Sequence, residues 1–131
     1  MTIVVAYDGS ETGRRALEHA AELASPSARM VIVNVVPAQS VSARLETVSE
    51  VERGRQRRLL RDARRVLRGR GLRSDVIEAA GDPVFEILSA AEALDAQLLV
   101  VGAGGPRHVL HRSLARRIVR RARCDVLVVP S

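Results

Sequence analysis

Three glycines, Gly102, Gly104 and Gly105, stand between an apolar run that ends at Val101 and a basic run with the residue spacing of a helix. Glycine lacks a Cβ atom, so a glycine loop at the end of a strand lets main-chain N–H groups approach a ligand closely. Such groups, followed by a helix N-terminus, suit a phosphate. The pattern therefore indicates a phosphate-binding loop, and the competing interpretation is that Gly102 to Gly105 form only a turn.

The elements that must position this loop can be predicted from the periodicity of the apolar residues. Short apolar runs predict five buried strands, which lie within 2–10 and over 29–37, 73–80, 96–102 and 125–130. Apolar residues at helical spacing predict helices over 11–24, within 41–71 with an uncertain beginning over 41–52, over 81–94 and over 112–122. In the third helix, Asp82 has the residue type of an N-cap and Pro83 that of the first helical position.

Alternating strands and helices, with strands that are apolar throughout, predict an α/β fold. We expect a Rossmann-like, doubly wound parallel sheet with helices on both faces. Right-handed crossovers favour the strand order 2-1-3-4-5 or its relative 3-2-1-4-5. In the second order the winding reverses between the first and fourth strands, and ligands bind beyond the carboxyl ends of strands at such a reversal. Asp8, Gly9 and Ser10 would then face the glycine loop.

Length and composition indicate a single domain over residues 1–131. Apolar residues make up 47% and charged residues 27% of the chain, as in an ordinary globular protein. Cys124 is the single cysteine, so an internal disulfide is excluded and the chain is compatible with a reducing compartment. We expect Cys124 to be an inert residue of the core. No apolar run is long enough for a signal peptide or a membrane span, so a cytoplasmic protein is expected.

The basic charge is concentrated in two segments. All 21 basic residues are arginine, and ten of them lie in 53–73 and seven in 107–123. A net charge of +6 alone would suggest nucleic acid as a partner. The predicted topology argues against nucleic acid, because helices two and four lie on opposite faces, and Tyr7 and Phe85 are the only aromatic residues for stacking. The arginine-rich face of the second helix is therefore interpreted as a solvated surface.

Several enzyme classes lack their residues in this chain. A Walker A loop and a receiver-type phosphoacceptor site each need a lysine, which is absent. No Ser-His-Asp grouping and no pair of acids converge at the predicted strand ends, so no catalytic residues are predicted. His108 and His111 have a metal-ligand spacing without a third ligand nearby, so no metal site is predicted.

Five segments in order along the whole chain resemble the universal stress protein family: AYDGSETGRRALEHAAELA, VIVNVVP, GDPVFEILSAAE, LLVVGAGG and RSLARRIVRRARCDVLVVP. The resemblance implies the strand order 3-2-1-4-5 and a cytoplasmic homodimer. The apolar last strand lies at the sheet edge in this order and needs a cover, so we expect the dimer to form through it. Many members bind ATP and most have no established catalytic activity, which leaves weak ATP hydrolysis or autophosphorylation as a minor alternative.

The ATP-binding signature of this family is G-x-x-G, nine residues, then G-[S/T]. Gly102 and Gly105 match its first half, and Arg112 and Ser113 stand at its second half after a spacer of six residues, with Arg112 in place of the glycine. Ser113 would begin a helix, where unpaired N–H groups and the dipole favour an anion, or it would serve only as an N-cap. Arg107 and Arg112 would add charge-assisted contacts to phosphate.

The resemblance assigns the nucleoside side of the site to earlier residues. Asp8 matches the family aspartate that contacts ribose, and a carboxylate accepts hydrogen bonds from hydroxyl groups. The alternative role of Asp8 is to cap the first helix. Gly9 and Ser10 follow it and are included among the predicted ligands, and Val35 matches the position beside adenine. The family usually has an aspartate where Gln97 stands, although that residue is not a ligand.

The sequence thus predicts a cytoplasmic regulatory protein with a remodelled adenine-nucleotide site, whose ligand is ATP or another adenine nucleotide, with Mg²⁺. The alternative is a universal stress protein that has lost nucleotide binding and acts as a dimeric protein-interaction module. Neither hypothesis needs nucleic acid or a membrane as a partner.

Overall fold

The computed structural model describes residues 1–37, 48–103 and 109–130, with the main chain alone for 109–113. In these ranges strands and helices alternate, as the spacing of the apolar residues predicts. The strands are β1 (Thr2–Ala6), β2 (Arg29–Pro37), β3 (Ser74–Gly81), β4 (Leu98–Gly102) and β5 (Asp125–Val129), and the helices are α1 (Glu11–Leu23), α2 (Glu50–Gly69), α3 (Pro83–Ala93) and α4 (Val109–Arg121). No helix within the described ranges has the length and apolar character needed to cross a membrane.

The strands form one parallel sheet of order β3-β2-β1-β4-β5, which confirms the predicted α/β architecture and its 3-2-1-4-5 order. β1 is the central strand, and Val4 lies opposite Val31 of β2 on one side and Leu99 of β4 on the other. The chain winds outward from β1 to β3 and then crosses back to β4. The winding therefore reverses between β1 and β4, where the sequence places the candidate site.

Alternate strand residues enter two apolar cores, one on each face of the sheet. Ile3 and Val5 are buried in the first core together with Leu17 of α1 and Leu60 of α2. Val4 enters the second core, which contains the buried residues of α3 and α4. Because both faces of the sheet are covered, the central strands are apolar throughout, and each large buried side chain contributes roughly 1.5–3 kcal/mol to folding.

Three helices begin after a side chain that accepts a hydrogen bond from a main-chain N–H group of the first turn, as N-cap residues do. The pairs are Ser10 Oγ with Gly13 N at 3.0 Å, Ser49 Oγ with Glu52 N at 3.2 Å, and Asp82 Oδ2 with Phe85 N at 2.9 Å. The predicted cap Asp82, with Pro83 after it, is confirmed. α2 begins at Glu50, and the predicted segment over 41–47 lies outside the described residues.

Helix α4 begins at Val109, three residues before the predicted start at Arg112. The apolar spacing gives the reason, since Leu110 stands four residues before Leu114 and eight before Ile118, so the helical period extends through the earlier turn. Ser113 consequently lies at the fifth position of the helix. Its predicted place at the helix N-terminus is therefore wrong.

The amino end of β1 is joined to β4 by the amide side chain of Gln97. The main-chain N of Gln97 donates to Thr2 O at 3.0 Å, and its side-chain Oε1 accepts a hydrogen bond from Thr2 N at 2.6 Å. One residue thus satisfies both main-chain groups of Thr2, and the register of the two central strands is fixed where they begin.

A buried amide joins α2 to the carboxyl ends of β2 and β3. Gln56 is 2% exposed, and its Nε2 donates to Asn34 O at 3.0 Å and to Ala79 O at 2.9 Å. A carbonyl oxygen inside a protein cannot replace a lost donor with bulk water, so such bonds are costly to remove. Gln56 therefore fixes the position of α2 across both strands.

Replacing Gln56 with leucine is expected to lower the free energy of unfolding by about 1–3 kcal/mol, because two buried hydrogen bonds are lost. Urea unfolding followed by circular dichroism measures the change. Arg58→Gln, on the exposed face of the same helix, is the matched control, and we expect it to change the free energy by less than about 0.5 kcal/mol. Equal stability of Gln56→Leu and the wild type would contradict this role of Gln56.

Candidate functional site

A cleft of about 130 Å³ opens at the carboxyl edge of the sheet, where the winding reverses between β1 and β4. Its walls come from the ends of β1, β2 and β4, the first turn of α1, the start of α3, and α4. The lining includes Tyr7, Asp8, Ser10, Thr12, Asn34, Val35, Gly102 and Leu114. The topology thus brings four of the predicted ligands into one cleft: Asp8, Ser10, Val35 and Gly102.

The turn over 8–10 leads from β1 into α1, and its two polar side chains have different partners. Asp8 Oδ1 accepts a hydrogen bond from Ser10 N at 2.9 Å, whereas Ser10 Oγ accepts one from Gly13 N at 3.0 Å. The N-cap of α1 is therefore Ser10, whose backbone is extended, and the alternative interpretation of Asp8 as the cap is wrong. Asp8 instead lies in the turn beside the helix start and lines the cleft.

Two glycines shape this turn. Gly9 has a φ of +84°, which favours glycine whether or not a ligand binds, and a Cβ atom on it would lie 2.5 Å from Leu59 Cδ2 of α2. A Cβ atom on Gly13 would lie 3.0 Å from Asp8 Oδ1. Gly13 is not among the residues predicted from the sequence, although a glycine in the first turn of a helix is a poor helix former and so signals close packing. The ligand role of Gly9 stays a prediction.

The side chain of Asn34 ties the end of β1 to β2. Asn34 is 7% exposed, and its Nδ2 donates to Tyr7 O at 2.8 Å, while Tyr7 N donates to Val33 O at 2.9 Å. Asn34 is also not among the predicted residues, although a lone amide within the apolar run VIVNVV signals a specific hydrogen bond. Burial raises the pKa of the Tyr7 phenol, and the negative charge of Asp62 acts in the same direction. The Tyr7 side chain packs against the first core, and its phenol is neutral at physiological pH.

Val35 stands on the part of β2 that extends beyond β1. β1 ends at Ala6, opposite Val33, whereas Val35 pairs with Ala79 of β3 on the other side. The half-buried side chain of Val35 packs against the second core and lines the cleft. Its position is therefore that of an apolar wall, as the resemblance implies for a residue beside adenine.

Gly102 ends β4 where α1 approaches it most closely. A Cβ atom on Gly102 would lie 2.7 Å from Thr12 Cγ2 and 3.3 Å from the Thr12 carbonyl carbon. Such a distance forces an atom to move, because interiors are close-packed. Glycine is therefore needed at 102 for helix packing, and the predicted approach of a phosphate to this residue stays a prediction.

The remaining predicted ligands belong to the segment between β4 and α4. Gly105 and Arg107 lie outside the described residues, and for Arg112 and Ser113 the structure describes the main chain within α4 alone. Their contacts to phosphate stay predictions. Leu114, the next residue of α4, lines the cleft, so this helix approaches the site.

The sequence predicts an inert residue at Cys124 and no metal site at His108 and His111, and the structure describes the side chain of the first of these alone. Cys124 is half-buried against the second core, and burial raises the pKa of its thiol, as does the neighbouring Asp125. A protonated thiol is a poor nucleophile, which agrees with an inert residue. His108 lies outside the described residues, and His111 is described by its main chain alone.

The fold and the cleft are those of a doubly wound α/β protein with a ligand-binding site at the carboxyl edge of its sheet. Doubly wound parallel sheets bind ligands at the winding reversal, and a helix N-terminus at that edge favours anionic ones. Comparison with known proteins narrows this class. The universal stress protein family matches residues 1–130, and the chain belongs to this family.

Similar proteins span almost the whole chain. The universal stress protein Rv1636 of Mycobacterium tuberculosis is 30% identical over 138 residues, which cover 98% of this chain and 94% of that protein. A solved structure of a universal stress protein from Burkholderia pseudomallei shares 33% identity with a TM-score of 0.77, over 99% of this chain and 96% of the other. Another solved universal stress protein, in complex with cAMP, shares 27% identity with a TM-score of 0.75, over 98% and 95%.

Replacing Gly102 with alanine is expected to lower the free energy of unfolding by about 1–3 kcal/mol, because the added methyl group overlaps Thr12. Chemical unfolding measures the change, and the second substitution Thr12→Ser, which removes the nearest methyl group, should restore part of it. Gly54→Ala within α2 is the matched control, since nothing lies within 4 Å of its added Cβ atom, and it should be neutral or stabilising. A Gly102→Ala protein as stable as the wild type would contradict the packing role.

Proposed function

We propose that this universal stress protein binds an adenine nucleotide in the cleft at the carboxyl ends of β1, β2 and β4. The observation that carries the proposal is the placement of Asp8, Val35 and Gly102 as walls of a single cleft at the winding reversal. Asp8 supplies an acceptor for ribose hydroxyls, Val35 an apolar surface for adenine, and Gly102 the start of the phosphate loop. The similar universal stress protein solved with cAMP supports an adenine nucleotide as the ligand.

The phosphates lie, in this proposal, over the segment from Gly102 to the start of α4. Main-chain N–H groups at Gly105 and the charge of Arg112 bind them, with Ser113 as a hydroxyl donor. The spacer between the two halves of the signature is six residues instead of nine, and Arg112 replaces a glycine. ATP, with Mg²⁺ to balance the triphosphate, is the ligand we propose to test first.

The proposed role is regulation by nucleotide occupancy within one cytoplasmic domain, without catalysis. The sequence predicts no Ser-His-Asp grouping, no pair of acids and no lysine at this edge, so binding is the chemistry that these residues favour. A universal stress protein that has lost nucleotide binding remains the alternative, and titration decides between the two.

Isothermal titration with ATP, ADP, AMP and cAMP, with and without Mg²⁺, is expected to show binding at about −8 to −4 kcal/mol. The intrinsic fluorescence of Tyr7, the one tyrosine in a chain without tryptophan, gives an independent readout from the cleft. Asp8→Asn should weaken binding about tenfold through the loss of a charged acceptor. Asp95→Asn is the matched control, because Asp95 follows the end of α3 and does not line the cleft, and it should leave binding unchanged. Absence of heat and of a fluorescence change with every nucleotide would support the alternative.

Two substitutions separate the proposed phosphate contacts. Gly105→Val should abolish binding, because a branched side chain keeps the phosphate from the main chain. Arg112→Gly should weaken binding and flatten its salt dependence if the guanidinium contacts phosphate. Stronger binding of Arg112→Gly would mean that this arginine blocks the cleft, and unchanged affinity would mean that it points to solvent.

We also propose that the protein is a homodimer that pairs through β5. β5 is an edge of the sheet, and Val126, Leu127 and Val128 are half-buried in the single chain. Arg15 donates to Pro130 O at 2.6 Å, which holds the end of the strand against α1. An apolar edge strand invites pairing, and a second copy related by a two-fold axis covers it with the same surface.

Light scattering at concentrations of tens of micromolar is expected to give the mass of a dimer. Val128→Lys should convert the dimer to a monomer or precipitate it, because it places a charge in the paired edge. Val51→Lys is the matched control, since Val51 is 71% exposed on α2 and lies far from β5, and its mass should equal that of the wild type. A monomeric wild type would rule out pairing through β5.

A further inference from the structure

Arginine side chains of α2 form a stripe along the flank of the helix that faces β3, an edge strand of the sheet. Arg57, Arg61, Arg64 and Arg68 recur at i, i+4, i+7 and i+11, so they share one face over about 16 Å of helix. All four are exposed and line a groove of about 340 Å³ between α2 and β3. These four residues are the arginine stripe.

A carboxylate of β3, that of Glu78, already forms ion pairs with arginines of α2 beside this groove. Glu78 contacts Arg53 NH1 at 3.3 Å and Arg57 Nε at 3.6 Å, so it balances the N-terminal end of the stripe. Among the described residues, no ion pair joins Arg61, Arg64 or Arg68 to an acid. Within the described ranges, three arginines of the stripe therefore have no acidic partner.

Two other features of the groove suit a peptide strand. β2 pairs with one side of β3 along its whole length. In the part of the chain that the structure describes, the other side of β3 is the sheet edge, where main-chain groups can pair with an added strand. The groove has an apolar floor, since Leu60 and Val76 line it beneath the arginines. Val76 and Glu78 are two residues apart and lie on the same face of the sheet, so an added strand would also present alternate side chains to the stripe.

We propose that an extended acidic segment of a partner protein joins the sheet at β3 and places alternate Asp or Glu side chains against the arginine stripe. Alternate strand residues repeat about every 6.7 Å, and Arg61, Arg64 and Arg68 about every 5 Å along the helix, a mismatch that long arginine side chains accommodate. The contact made by Glu78 is the internal precedent for this geometry.

Nucleic acid is the competing polyanion, and the groove fits it less well. No aromatic side chain lines the groove in the described part of the chain, so bases have no surface on which to stack. A peptide, by contrast, pairs with the strand edge, and the methylene groups of its acidic side chains can contact the apolar floor. The proposal is independent of nucleotide binding, because the stripe lies outside the cleft.

The probe for the test is a fluorescein-labelled heptapeptide, Thr-Glu-Val-Glu-Val-Glu-Thr, whose binding is followed by fluorescence anisotropy at low ionic strength. Joint substitution of Arg61→Gln, Arg64→Gln and Arg68→Gln is expected to weaken binding about tenfold or more. The control removes the same charge from α4 by Arg117→Gln, Arg120→Gln and Arg121→Gln, and we expect a change of less than about twofold. Circular dichroism verifies that both triple variants are folded.

A second peptide with the same charges, but with N-methyl groups on alternate amides, tests the strand pairing. Loss of its binding supports addition to β3, and affinity equal to that of the first peptide overturns it, because charge alone would then suffice. A single-stranded oligonucleotide of equal charge is the third probe. Equal or tighter binding of the oligonucleotide through the same three arginines would assign the groove to nucleic acid and overturn the proposal, as would an equal loss in both triple variants.

Discussion

The close contact between α1 and the end of β4 is the constraint on which the carboxyl edge of the sheet depends. Thr12 is 5% exposed and occupies the space that a side chain at Gly102 would need. The helix can lie there only because β4 ends in glycine, and its first turn then becomes a wall of the cleft. Because the helix begins at Glu11, Ser10 lies at the cap position and accepts a hydrogen bond from Gly13 N. Asp8, two residues earlier, accepts one from Ser10 N.

Neutral amides join the strands at both ends of the sheet, in addition to one exposed ion pair between Arg29 of β2 and Asp75 of β3. Gln97 holds the beginning of β1 to β4, whereas Asn34 and Gln56 hold the carboxyl ends of β1, β2 and β3. No buried side-chain nitrogen or oxygen in the described ranges lacks a hydrogen-bond partner. The ion pairs, by contrast, lie among exposed side chains, where such pairs add little to stability. The surface charge is therefore available for recognition, while the interior is held without it.

The fold could be predicted from the sequence because its signals are local. Apolar runs and helical spacing identify the elements, and the handedness of the crossovers limits their order. For the site, the sequence predicts the location at the reversal between β1 and β4 but not the contacts within it. Asp8 and Ser10 are two residues apart and both have residue types that cap helices, so the residue types alone do not show which one caps α1. Likewise, a sequence does not show whether Gly102 makes room for a ligand or for the methyl group of Thr12, because that contact joins residues distant in the chain.

The amide of Gln97 has a consequence for the behaviour of the protein in acid. A carboxylate in its place would lose acceptor strength on protonation, whereas an amide does not titrate, so the joint between β1 and β4 is the same in acid as at neutrality. The hydrogen bonds that join Thr2 of β1 to Gln97, the residue before β4, therefore contain no titratable group.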